Sequence, residues 1–139
     1  EIHFFGAQKG EPSYASSTLW TTDEWRQKIR AGVAQAFSSY IPLCKHHQDL
    51  ESLLAEIKEK KGIRIGMDNY EALGKLEPCT LEESETIFLA FGAERGWSGD
   101  ERNQLRENGF SLKHLGQRVL RVETAVVAAL GILGSGIET

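Results

Sequence analysis

The chain has 139 residues, 40% of them hydrophobic and 26% charged, with a formal net charge of −4. That length supports one domain around one core, and the near-average composition excludes collagen-like, mucin-like and wholly disordered chains. Self-sufficient nucleic-acid binders are usually basic, because neutralising phosphates releases counterions. An acidic chain that works on RNA therefore needs a local patch, a partner chain or a further segment.

Ile2–Phe5 is an apolar, aromatic run ending at Gly6 and reads as a buried strand. Residues 7–21, with Gly10, Pro12 and several Ser and Thr, read as a loop. Thr21 and Glu24 stand in capping-box spacing, and Trp25, Ile29, Val33, Ala36 and Phe37 then recur at helical period. Tyr40–Cys44 reads as a short strand, kept at a sheet edge by Pro42. Asp49 is the expected N-cap of a second helix with Leu50, Leu53, Leu54 and Ile57 on one face, stopping at Gly62.

Ile63–Met67 and Ile87–Phe91 are the clearest strands, separated by an expected loop over residues 68–84. A helix opening at Ser98, with Glu101 in capping-box spacing, ends at Asn108-Gly109. Phe110–Leu115 alternates as a strand. The last helix, Val122 to Leu133, is apolar nearly all round, which requires burial or an interface. Strands alternating with helices predict an α/β fold with a largely parallel sheet. The longest uninterrupted apolar run, Ala125–Leu130, is too short to span a bilayer. No cleavable apolar leader opens the chain, and Cys44 and Cys79 form no C-x-x-C pair or disulfide framework. A cytoplasmic location is the resulting expectation.

Two segments carry the chemistry. The first, Phe91-Gly92-Ala93-Glu94-Arg95-Gly96-Trp97-Ser98-Gly99, and the second, Leu115-Gly116-Gln117-Arg118-Val119-Leu120-Arg121, each follow a predicted strand and precede a predicted helix. Ligands of open α/β sheets bind at such strand ends, and helix N-termini there offer free N–H groups. The glycines match neither G-x-G-x-x-G nor G-x-x-x-x-G-K-[ST], which disfavours a dinucleotide or Walker cradle. From spacing alone the first segment is equally well a tight connection in a packed sheet.

Gly116-x-Arg118-Val119-Leu120-Arg121-x-Glu123-Thr124-Ala125, ahead of a small-residue apolar helix, resembles the C-terminal signature of the RsmE-like ribosomal RNA methyltransferases. These belong to the SPOUT superfamily of knotted methyltransferases. In that family a strand, a Gly-Pro-Glu-Gly-Gly loop, a short helix opening with an acid and a second strand precede the signature. Strand Ile87–Phe91, loop Gly92–Gly96, Glu101 and strand Phe110–Leu115 stand here in that order.

The resemblance implies a SPOUT-type sheet with a C-terminal deep trefoil knot. It implies S-adenosyl-L-methionine as cofactor, ribosomal RNA of the small subunit as partner, and methyl transfer to N3 of a uridine. It also implies a homodimer formed through the knot region, with no membrane and no metal. Residues 1–139 would make up the methyltransferase domain, lacking the family's first strand and helix and its N-terminal PUA-like RNA-binding domain. Matching positions give Met67, Gly92, Glu94, Gly96, Leu115, Gly116, Val119 and Leu120 as cofactor-binding residues.

Arg121 and Arg118 are the side chains expected near the reacting centre, since guanidinium groups suit phosphate or uracil carbonyls. Their alternative role is ion pairing, with Glu123 the obvious partner. Ala93 and Arg95 depart from the family's Pro and Gly; if the backbone at Arg95 takes a positive φ, strain of about 1–2 kcal/mol follows. The rival readings are a knotted RNA-binding protein without turnover and an unknotted α/β nucleotide-binding domain.

Three further groups are weighed. Cys44, His46 and His47 stand together but lack a second ligand pair for zinc. Lys58, Lys60, Lys61 and Arg64 could touch RNA phosphates, but they follow Glu56 and Glu59 at a helix end, and that helix-dipole reading leads. Of the tryptophans, Trp25 is expected in the core, and Trp97, in the glycine loop, is the candidate for stacking on a base.

Overall fold

The computed structural model describes residues 1–79 and 85–134. The elements in order are β1 (Ile2–Phe5), α1 (Pro12–Ala15), α2 (Glu24–Gln35), β2 (Cys44–His47), α3 (Leu50–Ile57), β3 (Ile63–Met67), β4 (Gly74–Lys75), β5 (Ile87–Phe91), α4 (Gly99–Glu107), β6 (Ser111–His114) and α5 (Val122–Gly134). Every strand pairing is parallel, in a two-stranded sheet β1-β2 and a four-stranded sheet β4-β6-β3-β5. This is the expected α/β class.

β3 and β5 read as near-continuous apolar runs because parallel strands are covered on both faces. Side chains alternate across the sheet. Ile65 and Met67, with Ile63, Ile87, Leu89 and Phe91, pack toward Ala129 and Leu133 of α5. Phe88 and Ala90 pack on the other face, against Leu50, Leu53, Leu54 and Ile57 of α3 and Leu105 of α4. Gly66 is small for this reason: a β-carbon there would lie 3.0 Å from Leu112 and 3.4 Å from Leu105.

Both expected caps of α3 and α4 form. The Asp49 carboxylate accepts from the Ser52 N–H at 2.8 Å, and the Ser98 hydroxyl accepts from the Glu101 N–H at 3.1 Å. Arg64 is spent on backbone: its guanidinium donates to the carbonyls of Ile57, Lys58, Lys60 and Asn108. That ties the end of α3 to the end of α4, and Lys60 pairs with Glu1 at 3.2 Å.

Several boundaries differ from the sequence reading. The loop 7–21 contains the short α1, started by Pro12 in its first turn. Asp23, not Thr21, occupies the N-cap of α2, and no side-chain cap bond forms there. Phe37 leaves the helix with φ 53° and is fully exposed, so the apolar stripe is shorter than its spacing suggests. The strand expected at Tyr40–Cys44 begins only at Cys44, where backbone pairing with Ile2 becomes available beyond Pro42. α3 ends at Ile57 rather than running on toward Gly62. β4 interrupts the expected loop 68–84, of which residues 80–84 lie outside the described residues.

β1 and β5 belong to different sheets, yet every residue of both lines one cavity of about 1500 Å³. Leu50, Leu53, Leu54 and Ile57 line it from α3, and Val122, Val126 and Leu130 from α5. The link between the sheets lies at the ends of these strands. Phe5 stacks on Trp97 with ring centroids 5.8 Å apart and planes 4° from parallel. The Gln8 N–H donates to Glu101 at 3.1 Å.

Trp97 is only 1% exposed, and its Nε1–H donates to the Met67 carbonyl at 2.8 Å. Trp97→Phe keeps the ring stack but orphans that buried carbonyl. Urea unfolding should show a loss of about 1–3 kcal/mol; an unchanged midpoint would show that the hydrogen bond contributes nothing.

Candidate functional site

At the upper ends of β3, β5 and β6 a second cavity, of about 80 Å³, is enclosed by three segments. Met67, Asp68, Asn69 and Tyr70 come from the end of β3, and Phe91, Gly92, Ala93, Glu94, Gly96 and Trp97 from the loop after β5. Leu115, Val119 and Leu120 come from the stretch between β6 and α5, and Val122 and Ala125 from the first turn of α5. The structure thus brings Met67, Gly92, Glu94, Gly96, Leu115, Val119 and Leu120 to one cavity; Gly116 belongs to the same stretch but does not line it.

The loop after β5 is a tight turn in which the Gly96 N–H donates to the Ala93 carbonyl at 2.8 Å. Its left-handed residue is Gly96, with φ +79°. Among the described residues the only non-glycine with positive φ is Phe37, so Arg95 carries no such strain. The condition for a penalty at Arg95 is therefore not met: the turn places its conformational demand one residue later. Gly92 is required for a different reason. A β-carbon there would sit 3.1 Å from the Trp97 ring and 3.3 Å from the Gly96 carbonyl carbon.

The wall from β3 is wired by charge. Asp68, whose side chain is 1% exposed, pairs with Arg102 through bonds of 3.1 and 3.2 Å. It also accepts the Glu71 N–H at 2.7 Å. Glu71 in turn pairs with Arg102 at 2.9 Å and Arg106 at 3.6 Å. Asp68 is thus committed to holding its own loop against α4. Glu94 is exposed and, among the described residues, has no recorded partner.

The arginines divide by location. Arg26 and Arg30 pair with Asp23, Arg64 caps helix ends, and Arg102 and Arg106 hold Glu71. Arg95, Arg118 and Arg121 are exposed, and among the described residues no ion pair is recorded for them. The alternative role, ion pairing with Glu123, is not taken up by Arg118 or Arg121 among the described residues; Glu123 lies in the first turn of α5. All three free guanidinium groups stand on the two loops that wall the small cavity.

Trp97 does not offer a stacking face. It is buried between Phe5 and Gly92, so the stacking role read from sequence is corrected. Trp25 is buried as expected, and Trp20 stacks on His46 at 4.3 Å.

The trio Cys44, His46 and His47 does not assemble either. The Cys44 thiol donates to the Pro42 carbonyl at 3.3 Å, and burial raises its pKa. Instead His3, His47 and Glu56 converge, each offering one donor atom within 4.8 Å of the others. His3 Nδ1 and His47 Nε2 are 2.9 Å apart and already bonded to each other. The Lys45 ammonium holds Glu56, lowering the carboxyl pKa, while burial lowers that of His47.

A family profile described as an RNA methyltransferase domain matches residues 1–134. The chain belongs to the RNA methyltransferase domain family. Ribosomal RNA small subunit methyltransferase E of Treponema pallidum is 27% identical over 136 residues, covering 95% of this chain and 51% of that protein. The protein of the same name from Aquifex aeolicus is 31% identical over 115 residues, covering 83% of this chain and 48% of that protein. The chain spans about half the length of these curated relatives.

The crystal structure of a ribosomal RNA small subunit methyltransferase E from Neisseria gonorrhoeae, bound to S-adenosyl methionine, superposes with a TM-score of 0.59. That likeness covers 94% of this chain and 64% of that one, at 18% identity, and concerns the fold. Among the described residues no helix of this methyltransferase domain is long and apolar enough to cross a membrane.

Two substitutions test the turn. Gly96→Ala should lower stability in urea by about 1–2 kcal/mol, since the left-handed conformation then carries a β-carbon. Arg95→Gly should lower it by about 0.4–1 kcal/mol through the entropy of the unfolded chain. A stabilising Arg95→Gly would restore the strained turn.

Proposed function

We propose that this domain is the catalytic part of an S-adenosyl-L-methionine-dependent RNA methyltransferase acting on N3 of a uridine in small-subunit ribosomal RNA. The observation that carries the reading is convergence. Residues singled out on two separate loops and on β3 line one cavity at strand ends, where α/β ligands bind. Met67, Leu115, Val119 and Leu120 supply apolar wall for an adenosine, and Gly92 and Gly96 let backbone approach it. Glu94 is available to accept from the cofactor's hydroxyl or ammonium groups.

The cavity of about 80 Å³ is smaller than the roughly 300–1,000 Å³ of ligand pockets, so a bound cofactor would extend beyond it or shift the wall held least. The stretch 115–121 suits that part: it has no helix or strand beyond β6, and Val119 and Leu120 are exposed. The cofactor brings the methyl group on a positive sulfur. Before N3 attacks, it must lose its proton, and the anion left on the uracil carbonyls is what cations stabilise. Arg121 and Arg118, exposed and without an ion pair among the described residues, suit that work and the RNA phosphates.

The same reading includes a C-terminal trefoil knot, a homodimer and a cytoplasmic protein. Val127 and Leu130 of α5 are 72% and 57% exposed, which suits an interface along that helix. The open cavity between β1 and β5 supports a further proposal about the domain. In the whole protein a parallel strand occupying it would join the two sheets, and the family's first strand is the expected occupant. A PUA-like RNA-binding domain would complement this acidic portion.

Calorimetric titration of S-adenosylhomocysteine into the intact protein tests the cofactor directly. Micromolar binding is expected, with Arg95→Gly within about twofold of the unmodified protein because Arg95 is an exposed surface residue. Methyl transfer to small-subunit RNA should then fall roughly a hundredfold in Arg121→Ala with the cofactor affinity retained. Absence of binding in both proteins overturns the assignment.

A further inference from the structure

With Trp97 buried, one aromatic ring remains exposed on the wall of the small cavity. Tyr70 is 69% exposed. Phe37 and Tyr40 are exposed as well, but neither lines this cavity. Tyr70 stands on the segment leaving β3, with its ring edge 3.4 and 3.8 Å from the β-carbon position of Gly96. The Arg102 guanidinium lies 5.5 Å from the ring centroid. That guanidinium is fixed in turn by Asp68 and Glu71. The ring is therefore braced by the glycine turn and by a fixed cation, while most of its surface faces solvent. Among the described residues its hydroxyl has no recorded hydrogen-bond partner.

A base that is to receive a methyl group on its pairing edge has to leave the stack. The energy lost is recovered when the base stacks on an aromatic side chain, the commonest device for holding unstacked RNA bases. Tyrosine does this at low entropic cost, and a ring already braced costs less still.

We propose that Tyr70 holds the substrate base, its exposed ring being the stacking surface for an unstacked nucleobase of single-stranded RNA at the cofactor cavity. This rests on the reading that the cavity binds S-adenosylmethionine. It gives base and cofactor different groups: the ring comes from the segment after β3, and the adenosine-facing groups are Met67 and the loops at 92–96 and 115–120. Arg95, on the same turn as Gly96 and without an ion pair among the described residues, stands nearby for the adjoining phosphate.

The test uses the intact protein, with a fluorescent uridine-rich single-stranded oligonucleotide followed by anisotropy and S-adenosylhomocysteine followed by calorimetry. Tyr70→Ala should weaken RNA binding about tenfold or more, Tyr70→Phe should stay within about twofold of the unmodified protein, and neither should change cofactor affinity. If Tyr70→Ala binds RNA as the unmodified protein does, the stacking role is wrong while the cofactor reading stands. If Tyr70→Ala loses cofactor and RNA together, Tyr70 is a cofactor wall and the proposal fails. If the unmodified protein binds no S-adenosylhomocysteine, the underlying reading falls and takes this proposal with it.

Discussion

The indole of Trp97 is the contact on which the upper end of this domain depends. Its N–H satisfies the Met67 carbonyl at the end of β3, one ring face covers Phe5 at the end of β1, and the ring closes over Gly92 after β5. β1, which lies in a different sheet from the paired strands β3 and β5, is thereby held at the height of their ends. An apolar side chain of the same size would fill the space but leave the carbonyl unpaired in a buried place, the costly half of a broken hydrogen bond. The glycine turn is a consequence of this packing: Gly92 admits the ring, and Gly96 takes the left-handed conformation that returns the chain to the Trp97 position.

Around that point the polar groups are wired for rigidity. Asp68 faces Arg102 with its side chain almost completely out of solvent. A buried pair of this kind is weak evidence for net stability, because desolvation offsets most of the attraction. What it does fix is direction. Asp68 also accepts the Glu71 N–H, so the loop after β3 has a defined path and Tyr70 a defined position. The same economy governs how charge is distributed over an acidic chain. Arginines elsewhere are engaged by Asp23, Glu71 and helix ends, whereas those of the cavity loops are left exposed, so positive charge is concentrated locally while the net charge stays at −4.

Much of this was legible in the sequence, for local reasons. Ile63–Met67 and Ile87–Phe91 are apolar runs too short for helices, and Asp49–Ser52 and Ser98–Glu101 carry caps in their own side chains. The two loops stood out through glycines and through a signature spread over adjacent residues. What was hidden depends on contacts between distant residues. β2 begins where β1 lies beside it, not where apolar residues begin. Phe37 continues a helical period that the backbone abandons. Trp97 is buried where its neighbourhood suggests exposure, since a tryptophan between glycines looks exposed until Phe5 is placed against it. Whether residue 95 or 96 takes the positive φ is likewise hidden, because spacing in a family motif does not reveal which peptide turns over.

The division of labour among the cavity walls has a chemical consequence. The walls from β3 and β5 are fixed by the Trp97 indole and by the Asp68–Arg102 pair, while the wall at 115–121 is tied through backbone to Asn69 at only 3.5 Å. A ligand too large for this cavity would meet least resistance at the third wall, which carries Arg118 and Arg121. Binding of a cofactor behind that wall would set the position of both guanidinium groups in front of it. RNA contacts made by those arginines would then depend on occupancy of the cavity, whereas a base held on Tyr70 would not, since its support runs entirely through the rigid side. Cofactor-dependent and cofactor-independent contributions to RNA affinity follow from which wall each residue stands on.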